Sequence, residues 1–246
     1  MDTIRSSPSI PHRQWRRGGW QLADIRTLDL MEKLRTKSIS LGDYTEGRFY
    51  IGIKTGYNRA YIVDRATRDK LIARDPQCVN LIKPWLRGRD IKRWKADRAS
   101  LYLIGIPKGT DKGVAHPWTN AVSESEARDI FATTYPAIHE HLARFEEQLR
   151  TRQDQGDYWW ELRACAYYAE LEKPKILWPD IAKRGEFTLD LSRSYPDMTL
   201  FAMPTSDLAL LAILNSTAAL WFIRNVSSPI QHGFVRFKRV YLSQLP

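Results

Sequence analysis

The sequence predicts an α+β fold of mixed strands and helices, with one long amphipathic helix and one buried apolar helix. Three observations carry that prediction. Period-two alternation of apolar residues marks short strands at 49–53 and 101–106. Ile138, Leu142, Phe145 and Leu149 are spaced four, three and four apart, which puts one apolar stripe on a helix. Strands and helices interleave without the regular strand–crossover–strand series that a parallel sheet demands.

Each element follows from local chemistry. Residues 1–19 mix prolines, serines, arginines and a Gly-Gly pair, and are expected to form a linker or tail preceding a folded domain over 20–246. Leu22, Ile25, Leu28, Met31 and Leu34 have helical spacing across 20–37. A strand, a tight connection and a second strand are predicted over 49–63, since Gly56 and Asn58 tolerate positive φ. Lys54, Thr55, Asn58 and Arg59 crowd hydrogen-bond donors onto that connection and suit it to an anion; taken alone it also fits an ordinary hairpin with a polar tip.

Asp64 is placed to cap a short helix over 66–73. Lys83-Pro84 breaks regular structure, and Trp85 and Trp94, either side of the 87–90 turn, are expected in the core. A helix starts near Glu124, and Gly156 precedes Trp159 and Trp160, whose expected role is closing the core. Further strands are predicted at 175–178, 186–190 and 199–203. Ser206 or Asp207 caps the apolar helix over 208–223, and short strands return near the C-terminus.

Composition narrows the function. Hydrophobic content of 43% and charged content of 27% belong to a globular chain, while a net charge of +10 favours a polyanionic partner. Charge is segregated: residues 41–100 hold 14 Lys/Arg against 7 Asp/Glu, and residues 101–170 hold 7 against 11. That pattern implies a basic face backed by an acidic one. Two distant cysteines, Cys78 and Cys165, give no disulfide framework or zinc motif, and a cytoplasmic location is expected. The start of the chain has no secretory signal, and 208–223 is short for a bilayer, so no membrane partner is expected.

Catalytic motifs are absent. The chain has no Walker-type loop, no GxGxxG after a strand and no Gly-x-Ser-x-Gly elbow. A metal-dependent nuclease would rest on Asp75 and the Asp90-Ile91-Lys92 run, but Asp90 reads more simply as the ion-pair partner of Arg89 and Lys92. A basic RNA- or protein-binding scaffold is the other alternative. Lys83, Arg87, Arg89, Lys92, Arg93, Lys95 and Arg98 fall within sixteen residues, enough charge to neutralise several phosphates. Arg87 and Arg89 flank Gly88 and suit the edge of a guanine. Lys175, Arg236 and Lys238 are candidates to extend the basic face.

Six motifs in order carry a family resemblance: GIKTGYNRAYIVD, IKPWLRGRDIKRW, YPAIHEHLARFEEQLRTRQDQGDYWWELR, EKPKILWPDI, LLAILNSTAALWFIR and YLSQLP. Together they resemble the TaqI-like C-terminal specificity domain of adenine-modifying DNA methyltransferases and type IIG restriction-modification enzymes. The resemblance implies a target recognition domain that grips duplex DNA, with the turn of Lys54, Thr55, Gly56 and Asn58 and the 87–93 segment facing it; Arg59, beside that turn, is a DNA-binding candidate from its charge. It implies further that a separate methyltransferase or nuclease domain, in cis or trans, does the chemistry. The chain contains no Asn-Pro-Pro-aromatic or Asp-Pro-Pro-aromatic motif and no glycine-rich methyl-donor loop. It is therefore expected to be non-catalytic, an excised domain or a natural truncation, with S-adenosylmethionine belonging to the missing part.

Overall fold

A computed structural model describes residues 24–109, 115–228 and 230–246. The expected linker over 1–19 and the first turn of the 20–37 helix lie outside the described residues. The strands run in chain order as β1 (Tyr50–Ile51), β2 (Ile62–Asp64), β3 (Ile82–Leu86), β4 (Ile91–Lys92), β5 (Lys95–Ala96) and β6 (Leu101–Ile104). After a helical stretch come β7 (Lys175–Pro179), β8 (Ile181–Ala182), β9 (Thr188–Asp190), β10 (Tyr195–Pro196), β11 (Leu200–Met203) and β12 (Val235–Arg236). The α+β class stands.

Contacts group the chain into two compact units. The larger comprises Phe49–Pro179 and Glu186–Leu211 and holds two four-stranded sheets, ordered β1-β11-β7-β9 and β10-β3-β6-β2. The hairpin that the 49–63 stretch also fits does not form. The two predicted strands enter different sheets, and the short helix Asn58–Tyr61 separates them. The reason is visible in Ala60 and Tyr61, which are fully buried and so turn the connection inward instead of leaving it as a hairpin tip.

The long amphipathic helix is three shorter ones, Glu124–Thr134, Pro136–Ala143 and Glu146–Thr151. Pro136 starts the second because a proline cannot donate into a preceding turn. The stripe nonetheless points inward as its spacing demands: Ile138, Leu142 and Leu149 have no exposed surface. Trp159 and Trp160 close the core beside Phe131 and Trp118. Asp64 caps the helix Arg65–Arg74 through the Thr67 amide at 2.7 Å, as its position predicted. Asp207, of the two candidates, caps the apolar helix through the Leu210 amide at 3.0 Å.

That apolar helix is also broken, into Leu208–Leu214 and Thr217–Val226, because Ser216 caps the second half through the Ala219 amide. Among the described residues no single helix is long and apolar enough to cross a membrane.

The smaller unit comprises residues to Arg48, Asp180–Gly185 and Ala212–Pro246. Its short helix Leu41–Tyr44 is tied to the C-terminal segment: the Leu41 amide donates to the Leu245 carbonyl at 2.6 Å and the Gly42 amide to Ser243 at 2.9 Å. Leu242 and Leu245 are buried, which explains the YLSQLP motif as packing.

A candidate nucleic-acid interface

The basic loops of the larger unit share one root. β10 pairs parallel with β3, matching Pro196 to Leu86, and Ile53 bridges Asp197, also parallel. Three segments therefore run side by side and leave in the same direction, giving rise to the 54–58 loop, the 197–199 turn and the 87–93 segment. Two strand spacings separate Ile53 from Leu86, about 10 Å. Gly52 makes this approach possible, since a Cβ there would lie 1.9 Å from the Asp197 carbonyl oxygen.

The 54–58 loop is held tightly. Gly56 adopts φ +73°, the left-handed conformation its residue type allows at no steric cost. Lys54 Nζ lies 2.8 Å from Asp154 Oδ2, and the hydrogen bond from the ammonium, outweighing burial, holds the Asp154 carboxyl below the usual range. The Thr55 hydroxyl is buried and donates to Asn58 Oδ1, so it is spent inside the loop and not offered to an anion as expected. Asn58 and Arg59 are exposed.

Arg152, which the sequence reading did not single out, organises this loop. Its buried guanidinium donates to the carbonyls of Thr55, Trp159 and Glu161 and lies 4.7 Å from the Tyr61 ring centroid. An arginine directly before the polar QDQGD run reads as surface; of the carbonyls it serves, that of Thr55 lies 97 residues away and leaves no sequence signal.

The 87–93 segment corrects two expectations. Asp90 is buried and pairs with Arg87, not with Arg89 or Lys92: Arg87 Nε donates to Oδ2 at 2.9 Å and Nη2 to Oδ1 at 2.8 Å. Burial acts to raise the Asp90 carboxyl, but the Arg87 side chain and amide overcome it and leave the group below its ordinary value. Most of Arg87's fork is thus engaged, whereas Arg89 is exposed. Trp85 is buried as expected, but Trp94 is 50% exposed. It sits in the two-residue connection of the β4–β5 hairpin, where Lys92 opposes Lys95. Arg93 is exposed beside it, with its guanidinium 5.4 Å from the Trp94 ring centroid.

The remaining candidates are placed differently. Lys83 is half-buried and pairs with Glu172 at 2.8 Å. Lys175 has no exposed surface and is bonded to Asp190 at 2.8 Å; burial pushes its ammonium below the usual lysine value while Asp190 opposes. It is a core residue, because β7 is a central strand buried along its whole length, and does not belong to the basic face. Arg236 and Lys238 lie in the smaller unit, Arg236 3.4 Å from Asp180 and Lys238 exposed. Among the described residues, Arg59, Arg89 and Lys92 carry neither a hydrogen bond nor an ion pair from their side chains.

The carboxylates considered for metal chemistry are occupied. Asp75 accepts from the Gln77 amide at 3.1 Å and from Cys78 Sγ at 3.2 Å, and Asp90 is locked to Arg87.

Comparison with known proteins shows what the chain is similar to. The profile of the TaqI-like C-terminal specificity domain matches residues 83–246. The Type II methyltransferase M.XhoI of Xanthomonas vasicola is 24% identical over 201 residues, covering 79% of this chain and 33% of that protein. Among solved structures, the Type IIL restriction-modification enzyme MmeI in complex with DNA aligns with a TM-score of 0.53 at 12% identity, over 80% of this chain and 24% of that one. At that identity the likeness is one of fold. The chain spans about a third of M.XhoI and about a quarter of the MmeI chain.

Proposed function

Since the chain belongs to the TaqI-like C-terminal specificity domain family, we propose that it is the target recognition domain of an adenine-specific DNA methyltransferase or restriction-modification enzyme, gripping duplex DNA without catalysing a reaction itself. The observation that carries this reading is the shared exit of the 54–58, 197–199 and 87–93 segments, the first and last of which carry the exposed cations Lys54, Arg89 and Arg93. Arg59, Lys92 and Arg93 serve the phosphates, and Arg89, free of the pairing that engages Arg87, is the side chain assigned to a base edge.

The chemistry falls to another polypeptide segment. Methylating an adenine requires extruding the base into a pocket that binds the methyl donor. S-adenosylmethionine is assigned to that segment, whose motifs this chain lacks. The nuclease alternative loses support because Asp75 and Asp90 are both spent on structural contacts.

A competition gel shift with labelled duplex DNA tests the proposal. Unlabelled duplex should displace the label well ahead of single strands and structured RNA. RNA that competes as well as duplex overturns the DNA reading and favours the scaffold.

A further inference from the structure

We propose that Trp94, carried at the tip of the basic β4–β5 hairpin, wedges into the base stack of the duplex. This rests on the reading of the chain as a duplex-gripping domain and names the contact that reading leaves open.

Three features of the hairpin work against folding. Trp94 adopts φ +74° at the second central residue of its turn. A positive φ there is normally met by Gly or Asn, and for a bulky aromatic it is an outlier. Half of the Trp94 surface remains in solvent, whereas Trp85, Trp118, Trp159, Trp160 and Trp178 are all at most 3% exposed. Lys92 and Lys95 face each other directly across the ladder, and like charges in that position repel.

The conformation is nevertheless fixed. The Trp94 amide donates to the Phe187 carbonyl at 3.0 Å, which holds the turn against the residue that precedes β9. Within the fold the indole meets the Arg93 guanidinium but leaves half of its surface in solvent, and a single partner satisfies the exposed ring and the opposed cations together. Phosphates on either side of a groove neutralise Lys92, Arg93 and Lys95, while the indole inserts between base pairs or stacks on a base they expose. Lys95 also has an intramolecular partner, Asp97 at 2.8 Å. The charge complementarity favours duplex DNA as the occupant over an apolar protein surface.

The test uses the full chain and a short mixed-sequence duplex. Trp94→Gly relieves the backbone strain, so its melting temperature should equal or exceed that of the unsubstituted protein. Its duplex affinity should fall about tenfold, with the salt dependence unchanged because no phosphate contact is lost. Trp94→Phe keeps an aromatic face and should retain most of the affinity. Indole emission provides a second readout: duplex should quench the unsubstituted protein more than Trp94→Phe, which retains every other tryptophan. Unchanged affinity in Trp94→Gly, or equal quenching in both proteins, overturns the wedge while salt-dependent binding leaves the domain-level reading intact. Absence of salt-dependent duplex binding by the unsubstituted protein overturns both.

Discussion

Arg87 and Asp90 are joined by two parallel hydrogen bonds, 2.9 and 2.8 Å long, that close the turn between β3 and β4. The same carboxylate accepts from the Arg87 backbone amide at 2.9 Å. One buried acid thus sets the root from which Arg89, Lys92 and Trp94 project.

The pair makes the turn acid-sensitive. Asp90 titrates below its ordinary value in the folded chain, so its contribution to stability is fully present above the unfolded-state value, near 3.9, and is lost as pH falls through the lower folded one. Asp90→Asn should cost about 2 kcal/mol at neutral pH. Denaturation midpoints of the two proteins should converge below about pH 4. A difference that persists unchanged in acid would mean that the charge on Asp90 is not what stabilises the turn.

Arg152 makes a separate prediction. Arg152→Met leaves three carbonyls without their donor and should destabilise the protein by about 3 kcal/mol. Arg152→Lys retains charge but not the fork, and should accelerate amide hydrogen exchange over 54–58 at temperatures where the rest of the larger unit stays protected. Exchange that rises uniformly would show that Arg152 supports the core at large and not this loop.

Much of the fold was legible in the sequence because its signals are local. The Asp64 cap, the inward stripe of Ile138, Leu142 and Leu149, and the strands at 101–104 and 175–179 follow from spacing and capping chemistry. Pairing was not legible. Nothing near residues 50–63 reveals that β1 joins β11 and β2 joins β6, partners lying roughly 150 and 40 residues away respectively. The basic character of 83–98 was plain, but not the division of labour within it. Charge counting cannot distinguish Arg87, held by Asp90, from Arg89, which is exposed. Lys175 shows the same limit, since a buried lysine depends on Asp190, which reaches it only across the β7–β9 ladder. Trp94 was misread because an indole between cations usually signals packing, and its positive φ is invisible to composition.

The central claim is that exposed cations on the larger unit hold duplex DNA, and counterion release measures that directly. The affinity of the unsubstituted chain for a mixed-sequence duplex should fall steeply with salt. In the triple variant Arg59→Ala, Lys92→Ala, Arg93→Ala, the slope of log affinity against log salt should be shallower by about 3, near one unit for each phosphate contact removed. A slope that the three substitutions leave unchanged would contradict the account.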